Sequence, residues 1–185
     1  MFLRRVAHQA RLGARYLSTT TAPPTVNAFA VFSQPEKFEV DLSSVEASFR
    51  TMQMKYHPDH NADANLAEIE KKSSELNEAV RILRNPVSRA EHLMALKGSS
   101  PLQDESSRVD DPELMFKLIE LQSDYEDGDE KEKEKILAEI RGQLTDLEPN
   151  FAQAYAVGNF ENATQVLTQM ILLERFIERM SGGAT

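Results

Sequence analysis

An all-α fold is what this chain of 185 residues predicts, and two observations carry that expectation. Apolar residues recur at alternating intervals of three and four, the spacing that lines one face of an α-helix. Between these stripes, Pro, Gly and Asn stand where helices start and stop. The order of stripes gives an antiparallel helical hairpin first and a three-helix antiparallel bundle second.

The hairpin begins at Asp41-Leu42-Ser43-Ser44, which offers cap residues, and Val45, Phe49, Met52 and Tyr56 then form one stripe. Arg50 and Lys55 lie off that stripe, free to face solvent or an acidic surface. Pro58 fixes its own φ and drives His57 out of the α region, so the helix must stop near His57. The tripeptide His57-Pro58-Asp59 thereby leaves an imidazole and a carboxylate on a loop, where binding residues tend to sit. The plain alternative is a helix-ending turn with Asp59 as a local cap. His60 to Ala64 reads as loop, and Asn65 can open a second helix with the stripe Leu66, Ile69, Ser73, Leu76, Val80 and Leu83. Packed together, the two helices hold the tripeptide at their tip. Asn85-Pro86 ends the second helix, and Pro86 suits the first turn of another carrying Val87, Ala90, Leu93 and Met94.

Gly98-Ser99-Ser100-Pro101 marks a linker, and the stretch to Val109 has no clear period. Asp110-Asp111-Pro112 is a helix start, followed by the stripe Leu114, Leu118, Leu121 and Tyr125. Met115, Phe116 and Ile119 are also apolar but lie on an adjoining face, more than one contact face needs. Asp127-Gly128-Asp129 is a turn, and the charge run from Glu130 to Lys135 reads as the solvated start of the next helix. That helix carries Ile136, Ile140, Leu144, Leu147, Phe151 and Tyr155. A proline inside a helix costs about 3 kcal/mol, so a break or kink is expected just before Pro149. Gly158-Asn159 ends the segment. The last helix uses Ala163, Val166, Met170, Leu173, Ile177 and Met180 until Ser181-Gly182-Gly183, leaving Leu172 and Phe176 outside the stripe. If helices 111–127 and 160–180 are neighbours, Met115, Phe116, Ile119 and Leu172 form one exposed patch. The alternative is that they complete an ordinary bundle core.

Net charge is −9, unevenly placed. Residues 1–35 hold Arg4, Arg5, Arg11 and Arg15 and no acid, which leaves −9 − 4 = −13 for the remainder. An Arg-rich, acid-free leader with Leu3, Val6, Ala10, Ala14 and Leu17 on one helical face looks like a mitochondrial transit peptide, with cleavage expected near Ser18. The alternatives are a disordered basic tail and a nucleic-acid-binding arm, the latter fitting poorly with so acidic a body and no aromatic platform beside the arginines. Cysteine is absent, so disulfides and Cys-ligated metal are excluded. No stretch approaches the length of a membrane span. No P-loop, dinucleotide fingerprint, nucleophile elbow or metalloprotease helix occurs, so no enzyme, cofactor or metal site is expected. His57-x-x-His60 with Asp59 and Asp63 has no further His or Cys near it in sequence, and His8 and His92 stand apart in the leader and on a helix face.

Taken together, Asn27-Ala-Phe29-Ala-Val-Phe32, Tyr56-His57-Pro58-Asp59, Leu76-Asn77-Glu78-Ala79, and Leu83-Arg84-Asn85-Pro86 with Arg89-Ala90-Glu91 resemble a J domain. The last group, followed by Leu93-Met94-Ala95-Leu96 and by the acidic-and-apolar segment from Asp111 to Asp127, is similar to the HscB family of iron–sulfur co-chaperones. The resemblance covers roughly residues 27–180. It implies a leader over 1–26, a J domain over 27–97, a linker over 98–110 and a C-terminal helical domain over 111–182. It also implies that His57, Pro58 and Asp59, with Arg50 and Lys55, contact a mitochondrial heat-shock protein 70 chaperone in the matrix and stimulate its ATPase. Met115, Phe116, Ile119, Glu120, Asp127 and Leu172 would contact an IscU-type scaffold protein. His60 stands where J domains usually carry Lys or Arg, Leu172 at a position usually aromatic, and Ser123 at one usually acidic. Two alternatives stay open at this point: a J protein for import or general folding, and a structural helical adaptor.

Overall fold

A computed structural model describes residues 26–56, 66–99 and 112–182. Among them it holds seven α-helices and no strand: α1 (Ala28–Val31), α2 (Leu42–Lys55), α3 (Leu66–Arg84), α4 (Pro86–Leu96), α5 (Pro112–Asp127), α6 (Glu130–Ala156) and α7 (Phe160–Met180). The leader, the His57-Pro58-Asp59 tripeptide and the linker from residue 100 onward lie outside the described residues.

Five of the helices start where a side chain takes the place of a missing backbone partner. Asn27, Asp41, Asn85, Asp129 and Asn159 all accept a backbone N–H of the turn they open. At the start of α6 the exchange is reciprocal. Asp129 accepts from the Glu132 amide at 2.9 Å, and Glu132 accepts from the Asp129 amide at 3.0 Å. The turn between α6 and α7 needs Gly158, whose φ of 75° is left-handed. Its amide and that of Asn159 donate back to the carbonyls of Tyr155 and Ala154, closing the end of α6.

Packing then divides the interior into two clusters. The larger joins α1–α4 to the second half of α6 and the first half of α7, through Phe29, Val45, Leu83, Leu93, Met94, Phe151, Leu167 and Met170. In the smaller, Leu118 of α5 meets Ile136 and Ile140 of α6 and Leu173 and Phe176 of α7. Leu144 and Leu147 touch both. The hairpin of α2 and α3 forms as expected, and α4 packs against both α3 and α7.

Two expectations are corrected. No break occurs at Pro149; α6 runs through it. Pro149 and Thr145 both face solvent, so water can satisfy the Thr145 carbonyl that proline leaves without a donor. Meanwhile Leu147 and Phe151 on either side are anchored in core. Phe176 is not an outlying residue either: it is 2% exposed. Because α7 packs on α4, α5 and α6 at once, its buried face is wider than one stripe and also takes in Leu167 and Ile171.

Two polar side chains are buried in α4. Arg89 donates to the Leu83 carbonyl at 2.7 Å and lies 4.6 Å from the Phe38 ring centroid, with burial lowering its pKa. His92 accepts the Ala28 amide on Nε2 at 3.0 Å, which ties α1 to α4. It also stacks on Phe29.

Candidate functional site

The first candidate surface lies on the hairpin. Asp41 opens α2, accepting from the Ser44 amide at 3.1 Å, and Val45, Phe49, Met52 and Tyr56 turn toward the core. That leaves Arg50 and Lys55 exposed, as their off-stripe positions predict. The Lys55 ammonium sits 5.5 Å from the Tyr56 ring centroid. Arg84 of α3 grips Glu46 of α2 with two hydrogen bonds, one of them 2.8 Å long, and lowers the Glu46 pKa. This fork fixes the register of the two helices near the start of α2 and the end of α3. The chain leaves α2 at Tyr56 and re-enters at Leu66 of α3, at the other end. Met54, 65% exposed and one helical turn after Arg50, is an apolar member of this surface that stripe analysis passes over.

The second candidate surface is α5. Its core stripe seats Leu118 fully and Leu114, Leu121 and Tyr125 partly against α6 and α7. The Tyr125 hydroxyl donates to the Met180 carbonyl at 2.7 Å and locks the far end of α5 to α7. Lys117 pairs with Glu139 of α6 at 3.1 Å. With the core complete, Met115, Phe116 and Ile119 remain 43%, 68% and 61% exposed. Helical spacing puts Met115 with Ile119, and Phe116 with Glu120, on adjacent lines of one face. Glu120 and Asp127 are also exposed. Asp127 borders a cleft of about 420 Å³ between α5 and α6, shared with Asp124, Glu132 and Lys135. Leu172 is different: it is half-buried against the smaller core cluster. Five of the six expected residues thus lie together on α5, while Leu172 serves the core on α7.

Among the described residues no group of three or more His, Asp or Glu gathers to hold a metal ion. Nor is any helix among them long and apolar enough to cross a membrane.

A family model described as the DnaJ domain matches residues 27–92, which include α1–α3 and most of α4. The co-chaperone protein HscB homolog of Photobacterium profundum is 32% identical over 127 residues, covering 66% of this chain and 73% of that protein. The chain belongs to the HscB family. It is therefore a J-domain co-chaperone by kinship. The iron-sulfur cluster co-chaperone protein HscB homolog of Arabidopsis thaliana is 27% identical over 160 residues, 84% of this chain and 63% of that protein. The crystal structure of human co-chaperone protein HscB superposes with a TM-score of 0.74 over 92% of this chain and 88% of the human one. At 21% identity, that likeness speaks for the fold alone.

Proposed function

We propose that this HscB-family co-chaperone delivers an IscU-type iron–sulfur scaffold to a heat-shock protein 70 chaperone and stimulates that chaperone's ATPase. The Arg-rich leader favours the mitochondrial matrix as the place. The observation that carries the reading is the surplus on α5: three large apolar side chains stay in water although the core beneath them is complete. They suit an apolar partner face, with Glu120 and Asp127 as a polar rim. On the hairpin, Arg50 and Lys55 offer positive charge next to the chain segment that contains His57, Pro58 and Asp59. Asp59 would pair with a chaperone arginine, and His57 would give a directional polar contact. Docking accelerates hydrolysis only by favouring the competent chaperone conformation over the resting one, so the hairpin must bind the first more tightly.

The test separates the two surfaces. His57→Gln should abolish ATPase stimulation while leaving the circular dichroism spectrum and scaffold affinity unchanged; undiminished stimulation rejects the chaperone contact. Changing Met115, Phe116 and Ile119 together to Ala should leave basal stimulation intact. At about 1–2 kcal/mol per interface anchor, it should weaken scaffold binding roughly a hundredfold or more. Unchanged scaffold affinity by calorimetry rejects the α5 surface. Leu172 is left out of that variant because its truncation would also open the core.

A further inference from the structure

We infer that the Arg-rich leader, residues 1–25, docks on the outward face of α5 and keeps a partner off that face for as long as the leader stays attached. The face joins two chemistries. Phe116, Glu120, Asp124 and Asp127 follow at helical spacing along one line of α5, and Met115 and Ile119 stand beside that line. All six side chains are exposed, the three apolar ones by 43% to 68%. Apolar surface therefore lies near the start of α5, and negative charge gathers toward its end. There the cleft shared with α6 sets Asp124, Asp127, Glu132 and Glu139 against one base among its described lining residues, Lys135. Lys117 holds Glu139 at 3.1 Å, which leaves the other three acids in excess.

An occupant that suits this face is apolar on one side, positive beside it and free of acid. A second copy laid face to face sets these acids against each other or against the apolar end. The leader meets every requirement: residues 1–25 hold Arg4, Arg5, Arg11 and Arg15 and no Asp or Glu. At helical spacing Arg4, Arg11 and Arg15 fall on one line, beside the apolar line of Leu3, Val6, Ala10, Ala14 and Leu17. As a helix, residues 1–17 span about 26 Å, against about 24 Å for the 16 residues of α5. The tether is long enough. Asn27 donates to Glu36 at 2.8 Å, and Phe38, two residues on, meets the Phe151 ring of α6 at 5.2 Å between centroids. From Phe151 back to Glu139, where Lys117 of α5 is paired, α6 covers about 18 Å. Residues 18–26 extend to about 30 Å. So short a tether gives an effective concentration on the order of 1 mM, at which even a weak contact closes. The consequence for the scaffold rests on the reading of α5 proposed above. Cleavage near Ser18 removes all four arginines and frees the face.

The chain has no cysteine, so Gln9→Cys takes a single nitroxide on the full-length protein. Paramagnetic broadening of side-chain methyl signals then reads docking without any partner present. Met115 and Ile119 should lose intensity several-fold, while Met54, exposed on the hairpin, should not. Changing Arg4, Arg5, Arg11 and Arg15 together to Gln should restore the signals. So should about 1 M NaCl, where the screening length falls to about 3 Å. Broadening that is absent, equal at Met54 and Met115, or lost on dilution of the labelled chain overturns the docking; the last would mean contact between copies. By calorimetry, the fourfold Gln variant should also bind the scaffold several-fold more tightly than the full wild-type chain. Broadening confined to α5 with unchanged scaffold affinity upholds the docking and rejects α5 as the scaffold surface instead.

Discussion

Helices α4 and α5 are both rich in apolar residues, yet the fold treats them in opposite ways. In the 11 residues of α4, six side chains are buried, an arginine and a histidine among them. In the 16 residues of α5, only Leu118 is. The cause is coverage. The J-domain hairpin lies on one side of α4 and the bundle on the other, whereas α5 meets α6 and α7 along a single stripe. A helix covered from two sides spends its apolar side chains on holding the molecule together. One covered from one side, with apolar residues left over, presents them outward.

The sharpest way to break that comparison is one truncation on each helix. Leu93→Ala, at a position with no exposure, should cost about 2–5 kcal/mol by urea unfolding, since the lost transfer energy is joined by a cavity. Ile119→Ala removes as much aliphatic volume from the face of α5 and should change stability by no more than about 0.5 kcal/mol. A loss above about 1 kcal/mol at Ile119 would mean that the α5 face is covered in solution, and the contrast between the helices would fail.

Much of this contrast is legible in the sequence, and the exceptions share one physical origin. Val45, Leu76, Val80, Leu83 and Ile140 announce themselves because they fall on the three-and-four spacing of their helices. Met115, Phe116 and Ile119 are legible as surplus for the same reason. Phe176, Leu167 and Leu172 are not, because a helix packed against three others buries a wide arc, and the number of neighbours is a tertiary fact. Pro149 misleads because local propensity is blind to anchoring on both sides. For His92, nothing in the spacing separates a solvated imidazole from one that accepts the Ala28 amide. Arg50 and Lys55 are legible by elimination, but Met54 is overlooked because an apolar residue off the stripe carries no charge to flag it.

The next largest effect tests the buried imidazole that sets α4 apart. Its Nε2 must stay unprotonated to accept the Ala28 amide, and burial lowers its pKa from the ordinary 6.5, with Glu36 and Glu78 pulling weakly the other way. A base depressed on folding costs stability as pH falls below its unfolded value, by at most about 1.4 kcal/mol per pH unit until the folded value is reached. His92→Gln should be less stable than wild type at pH 7.5, and the gap should narrow by pH 5.5 because only wild type carries the proton penalty. A gap of constant size across that range would mean the imidazole titrates freely.

The smallest effect probes how α5 is held. Its turn into α6 depends on the reciprocal bonds between Asp129 and Glu132, so Asp129→Ala should cost about 1 kcal/mol, the usual worth of a cap. Fraying at the start of α6 should reach Ile136 and loosen the smaller cluster, which holds the Leu118 stripe, while the larger cluster stays intact. Hydrogen exchange should then show lost protection in α5 and early α6 and none in α4. Equal loss in α4 would mean that the two clusters melt as one, and that the outward face of α5 is set by the whole fold and not by its local coverage.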